Sequence, residues 1–228
     1  MDFVGIEKLS LVDYDEKVAC TLFMEGCNFR CPFCHNSQLV NKENNTPIPW
    51  EEIKVFLKRR VGVMDAVVIT GGEPTLMPDL EEKIRDIKSF GYEVKLDTNG
   101  TNPTLIKKLV SEGLIDYIAM DIKSSPNTYN VVAGLSVNMA KIKETVEFLL
   151  ENHIDYEFRT TLINEFHSLE TIKELGKFIK GAKKYRLQKF TDSDTCIQRG
   201  LHPVSKENAL QMKDVLLTYI NDVELRSY

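Results

Sequence analysis

The chain has 228 residues, 43% hydrophobic and 28% charged, and its 29 basic against 34 acidic residues give a net charge of −5. At ~150 residues per domain this is one domain's worth of chain, long enough to bury a core without disulfide staples. The balance excludes a disordered chain, a collagen-like repeat and a pure coiled coil, and the lack of a basic block excludes a general nucleic-acid binder.

The N-terminus, Met1-Asp2-Phe3-Val4-Gly5, shows no basic segment with an apolar run behind it, so no export signal is expected. Uninterrupted apolar stretches reach only a handful of residues, as at 66–69, too short to span a bilayer. The expectation is a soluble, cytoplasmic protein.

In chain order, residues 3–12 read as an early strand or hairpin at a sheet edge, and the apolar run 18–24 as a strand leading into a cysteine-rich loop. Residues 50–60 carry Trp50, Ile53, Phe56 and Leu57 at helical spacing. Residues 64–70 form a continuous apolar strand ended by Gly71-Gly72. A helix over 80–90 has Asp79 as its N-cap and Gly91 beyond its end. Strand 93–98 then turns at Asn99-Gly100, and Pro103 opens a helix to residue 111. The alternation repeats: strand 116–122, helix 139–152, strand 154–163, helix 169–180, strand 185–190, and a closing helix over 206–220.

Six β-then-α units imply an α/β fold, an open partial (β/α)6 barrel with a parallel sheet. No linker divides it, so one domain is expected: an extension over 1–17, a barrel core over 18–190, and a C-terminal loop and helix over 191–228. Such folds place ligands at the carboxyl ends of their strands. Those ends carry the cysteine loop, Gly71-Gly72-Glu73-Pro74, Asp97-Thr98-Asn99-Gly100, Asp121-Ile122-Lys123, Arg159-Thr160 and Gln188. Nearly every unusual residue falls on one rim.

Five cysteines are present, and Cys27, Cys31 and Cys34 are spaced C-x3-C-x2-C. Thiolates are soft ligands suited to zinc, cuprous copper or iron–sulfur clusters. A structural zinc site needs a fourth ligand, and His35, adjoining Cys34, is poorly placed to supply it. Three thiolates on a four-iron cluster leave one iron open. Cys20 lies within an apolar strand and reads as core; Cys196 stands alone in a polar loop and receives no role.

The C-x3-C-x2-C loop with an aromatic residue before its last cysteine, and Gly-Gly-Glu-Pro one unit later, resemble the radical S-adenosylmethionine (SAM) superfamily. Cys31-Pro32-Phe33-Cys34-His35-Asn36, Gly72-Glu73-Pro74-Thr75, Asp97-Thr98-Asn99-Gly100 and Met120-Asp121-Ile122-Lys123 resemble its glycyl radical enzyme activases. Within that group they are most similar to those serving anaerobic ribonucleoside-triphosphate reductase and, more distantly, pyruvate formate-lyase. The resemblance runs over residues 22–190.

It implies one [4Fe–4S] cluster held by Cys27, Cys31 and Cys34, with SAM on the open iron, cleaved reductively to a 5′-deoxyadenosyl radical that makes a glycyl radical on a partner. Phe33, Cys34 and His35 would lie along the adenine, Gly71 and Gly72 would allow close backbone approach, and Glu73 would accept from the methionyl ammonium. Asp97, Thr98 and Asp121 would hold a monovalent cation. Lys123 and Arg159 would meet the SAM carboxylate or ribose; Gln188 and His202 are lesser candidates. Residues 35–70 contain no cysteine, so one cluster and an external flavodoxin or ferredoxin are implied. Loops 124–138 and 191–205 are long enough to dock a partner or cover the site. The competing readings are a radical SAM enzyme acting on a small molecule, such as a deazapurine-forming synthase, and a zinc-binding interaction module.

Overall fold

A computed structural model describes residues 1–43 and 45–228. Its strands are β1 (Phe3–Ser10), β2 (Ala19–Met24), β3 (Ala66–Gly71), β4 (Glu93–Thr98), β5 (Tyr117–Asp121), β6 (Asp155–Leu162), β7 (Lys184–Lys189) and β8 (Asp222–Arg226). The helices are α1 (Ser37–Asn41), α2 (Trp50–Lys58), α3 (Leu80–Ser89), α4 (Pro103–Ser111), α5 (Tyr129–Ala133), α6 (Met139–Leu150), α7 (Leu169–Phe178) and α8 (Lys206–Leu216). The strands follow one another in sheet order β1 to β8, the sequential order of barrel-type α/β proteins. β1 pairs antiparallel with β2, whereas β2–β3, β3–β4, β6–β7 and β7–β8 are parallel.

The six expected strands are therefore β2 to β7, and the early strand is β1. One element is corrected: the last helix does not close the chain, because Ile220 is followed by β8. Among the described residues no helix is long and apolar enough to cross a membrane.

The chain forms two compact units. The first comprises Met1–Asn28, Gln38–Ala119 and His153–Asp155, the second Phe29–Ser37, Met120–Asn152 and Tyr156–Tyr228. In the first, β2 and β3 are almost wholly buried, which explains their unbroken apolar sequence. The unit's helices bury apolar stripes, Ile53 and Leu57 on α2 and Leu80, Ile84 and Ile87 on α3. Asp79 precedes α3 as expected but makes no capping bond; its carboxylate pairs with Lys83 one turn on. In the second unit α6 buries Ile142, Val146 and Leu149, and Ser168 and Ser205 cap α7 and α8 through the amides of Thr171 and Asn208.

Gly71 and Gly72 do permit a close approach, and what approaches is the chain's own backbone. A Cβ on Gly72 would land on the carbonyl oxygen of Gly26, and one on Gly71, at φ +113°, on the backbone of Met24. Gly72 N–H donates to Met24 O at 2.8 Å and Glu73 N–H to Gly26 O at 2.8 Å, so the end of β3 is stitched to the start of the cysteine loop. Gly72→Ala should lose about 1–3 kcal/mol by overpacking against rigid backbone. Gly91→Ala, with φ +91° but open space around it, should lose only about 1 kcal/mol of backbone strain. Urea midpoints of the two variants test the difference; equal losses would refute the steric argument.

Candidate functional site

In the first unit the ends of β3 and β4 are tied together by Glu73, which has no exposed surface. Its Oε1 accepts from the Thr75 amide at 3.1 Å, from the Thr75 hydroxyl, and from the Thr98 hydroxyl at 2.7 Å; Oε2 accepts from the Asn99 amide at 2.6 Å. Burial raises the Glu73 carboxyl above the ordinary range, and these bonds pull it part of the way back. The four bonds come from the chain's own groups, the amides of Thr75 and Asn99 and the hydroxyls of Thr75 and Thr98. This carboxylate is enclosed and spent on the chain itself, as a buried carboxylate must be.

Asn28, one residue beyond Cys27, was not singled out by sequence and belongs to the same construction. Its amide donates to Thr101 Oγ1 at 2.9 Å and accepts from Asn99 Nδ2 at 2.8 Å. The Asn99-Gly100 turn thereby holds the chain just past the first cysteine. Asp97 accepts from the Thr70 hydroxyl at 3.2 Å and lies 3.9 Å from the ammonium of Lys95.

In the second unit Asp121, Lys123 and Arg159 come together. Lys123 Nζ donates to Asp121 Oδ2 at 3.0 Å, and Arg159 Nε to Oδ1 at 3.0 Å. Both cations are largely covered, with side chains 18% and 13% exposed, so neither is a solvated rim charge. Burial would raise Asp121, but the ammonium and guanidinium outweigh it and hold the carboxyl at about 2. Lys123 is likewise held above the ordinary lysine range despite its burial, chiefly by Asp121. Both oxygens of Asp121 thus already carry cationic partners, and the expected monovalent cation gains no support here.

His167, also unforeseen, fixes the backbone at Lys123. Its Nδ1 accepts from the Ile163 amide at 3.0 Å, which leaves Nε2–H to donate to Lys123 O at 3.0 Å. Burial lowers its pKa and keeps the ring neutral. Of the lesser candidates, His202 is an exposed partner of Glu165 at 2.7 Å, and Gln188 is half-buried in β7, in register with Thr161 and Arg226.

All five cysteines are free thiols. Cys31 is 6% exposed, and burial pushes its thiol up to about 11, against the pull of the Lys123 charge; burial raises Cys34 as well. Among the described residues, no three His, Cys, Asp or Glu side chains are grouped to hold a metal ion. Phe33 is buried, and His35 stacks on Phe190 at 5.4 Å while its Nε2 bonds to Thr191 O. The two loops expected to dock a partner or cover the site are engaged with this segment. From the first, Ala133 O accepts from Arg30 N at 2.9 Å, and Gly134 abuts the Arg30 carbonyl; the second contributes residues 191–198.

Residues 21–180 match the Radical SAM superfamily. The chain is 34% identical over 230 residues to a Methanocaldococcus jannaschii protein named as a glycyl-radical enzyme activating enzyme, covering 98% of this chain and 95% of that one. It is 28% identical over 172 residues to the 7-carboxy-7-deazaguanine synthase of Haemophilus influenzae, covering 71% and 75%. Its fold is similar to Streptococcus suis SuiB solved with bound S-adenosylmethionine, with a TM-score of 0.71 at 14% identity, over 91% of this chain and about half (52%) of that longer one. On the family match and the near end-to-end relative, the chain belongs to the radical SAM superfamily and is a radical SAM enzyme.

Proposed function

We propose that the chain is an activating enzyme that uses SAM to place a radical on a glycine of a partner enzyme, most specifically an anaerobic ribonucleoside-triphosphate reductase. The observation that carries it is the near end-to-end match, at 34% identity, to a protein named for that activity. The donor set fits a [4Fe–4S] cluster: three free, soft thiols on one loop, without a disulfide among them. Such a cluster, when bound and reduced, supplies the electron that cleaves SAM at its sulfonium. Cys27, Cys31 and Cys34 would hold it.

The other residues bind and orient. Phe33, Cys34 and His35 would border the adenine, and the Gly71-Gly72-Glu73 segment would act through its backbone, since the Glu73 carboxylate is enclosed. Lys123 and Arg159, aimed by Asp121, would meet a carboxylate or ribose, the ammonium as a point charge and the guanidinium by its fork. Asp97 would act through polar contact alone, without the cation first expected. A cytoplasmic flavodoxin or ferredoxin would serve as electron donor.

The match to 7-carboxy-7-deazaguanine synthase supports a second reading, a radical enzyme acting on a small molecule. The two differ in where hydrogen comes from. With reductant and SAM alone, under exclusion of oxygen, the activase should cleave SAM slowly. Adding the reductase should give a stable glycine-centred doublet in electron paramagnetic resonance. Deuterium placed on that glycine should appear in 5′-deoxyadenosine. If it stays in the partner while a small metabolite donates hydrogen, the second reading replaces the first.

A further inference from the structure

From Cys31 to Asn36 the chain has neither helix nor strand, so its carbonyls and amides must find partners elsewhere. Cys34 N–H donates locally to Cys31 O at 3.0 Å, and further partners lie more than 150 residues later. Gln198 N–H donates to Pro32 O at 2.8 Å and Ile197 N–H to Cys34 O at 3.2 Å; in return Ser37 N–H donates to Thr195 O at 3.4 Å. The two segments run in opposite directions, 32 to 37 against 198 to 195. Side chains add to the seam: His35 reaches Thr191 O, and the thiol of Cys196, 7% exposed, lies 4.0 Å from the carbonyl oxygen of Phe33.

The later segment carries its own fastening. Asp192 Oδ1 accepts from Arg199 Nε at 3.0 Å and Oδ2 from the Gly200 amide at 3.1 Å, and Arg199 also engages Asp194. Within that closed loop the Cys196 amide donates to Ser193 O at 3.0 Å, and Ser193 and Thr195 share a hydroxyl bond of 2.9 Å. The bonds these side chains make stay within the loop, while Cys196 lies against the Phe33 carbonyl. The clasp therefore shapes the loop, and the loop's main chain grips residues 32–37.

We propose that residues 191–200 are a strap that holds the Cys31 and Cys34 thiols in place before any cofactor arrives, with Asp192 and Arg199 as positioning residues. The proposal deepens the reading of Cys31 and Cys34 as cluster ligands. A ligand loop fixed in advance loses little conformational freedom when it binds, and a loose one must be ordered at that moment. The strap acts on the thiols through main-chain bonds, so its side chains need not touch a ligand to govern how well it is held.

The test uses the full, reduced, metal-free chain under argon, labelled with N-ethylmaleimide under native conditions and read cysteine by cysteine by mass spectrometry. Asp192→Ala opens the clasp, and Gln198→Pro removes the N–H that Pro32 O accepts. Both should quicken labelling of Cys34 and of Cys196 about tenfold, the size expected for a lost hydrogen bond. Gln198→Ala, which keeps the N–H, and Asp192→Asn, which keeps an acceptor oxygen, should stay within about twofold of the parent. Cys20, wholly buried in β2, should label at the parent rate and show that the rest of the fold is intact.

In protein loaded with iron and sulfide, release to a chelator should quicken in the first two variants from an unchanged starting iron count. The proposal is overturned if Cys196 labels faster while Cys34 does not, or if neither thiol responds to either variant. A chain that takes up no cluster would sink the proposed function, yet labelling of the metal-free protein would still decide whether the strap positions the thiols.

Discussion

Alanine at Cys27, Cys31 or Cys34 should leave anaerobically reconstituted protein without its iron and sulfide, whereas Cys20→Ala and Cys196→Ala should keep about four irons per chain. The contrast matters more than the loss. Cys20 is fully enclosed in β2, and burial pushes its thiol up to about 12, the behaviour of a small apolar core residue. Cys196 lies within the strap beside the carbonyl of Phe33, where it packs and donates weakly. With one of three thiolates gone, a second iron would lack a protein ligand, so the expected loss is complete rather than graded. Iron and acid-labile sulfide analysis with absorption spectra of all five variants decides it. A triad variant that still binds four irons, or loss of the cluster in Cys196→Ala, would show that the ligands are wrongly chosen.

Much of this was legible because it is written locally. The C-x3-C-x2-C spacing, the Gly-Gly that ends β3 and the Asn-Gly that follows β4 each depend on residues a few positions apart. What stayed hidden depends on partners far away. Nothing in the sequence around Asn28 announces Asn99 and Thr101, and nothing near His167 announces the carbonyl of Lys123. The strap lies in a loop read as long enough to dock a partner or cover the site; its grip on residues 32–37 stayed hidden because it uses main-chain amides that any sequence supplies.

Glu73 shows a different limit. A motif names the residue but not the direction of its side chain, and only the ring of Thr75, Thr98 and Asn99 reveals that it turns inward. β8 escaped for an electrostatic reason. Asp222 and Glu224 look like surface charge, but both pair with the largely buried Arg186 on the neighbouring strand, at 2.8 and 3.0 Å. A strand whose alternate residues are charged can sit in a sheet when an arginine across the ladder answers them.

Asp121→Ala should cost about 2–3 kcal/mol of stability, below the ~3–5 kcal/mol of a fully enclosed pair because the carboxylate is partly exposed. The cost comes from what is left behind: Lys123 and Arg159 stay covered while losing the charge that compensates both. The same coupling sets a pH dependence. Against its burial, Lys123 and Arg159 hold the Asp121 carboxyl at about 2 in the folded chain, below about 4 unfolded, a difference of roughly 2–3 kcal/mol. Because the folded value is the lower one, this stabilisation is fully present above about pH 4 and is lost as pH falls towards 2. Urea unfolding between pH 7 and pH 2.5 should therefore show a steeper acid loss for the parent than for Asp121→Asn. Removing one stranded cation as well, in Asp121→Ala with Lys123→Met, should recover part of the loss, since the penalty belongs to the unpaired charge. Parallel acid profiles for parent and Asp121→Asn, or strict additivity in the double variant, would mean that these three side chains are not the coupled group their distances describe.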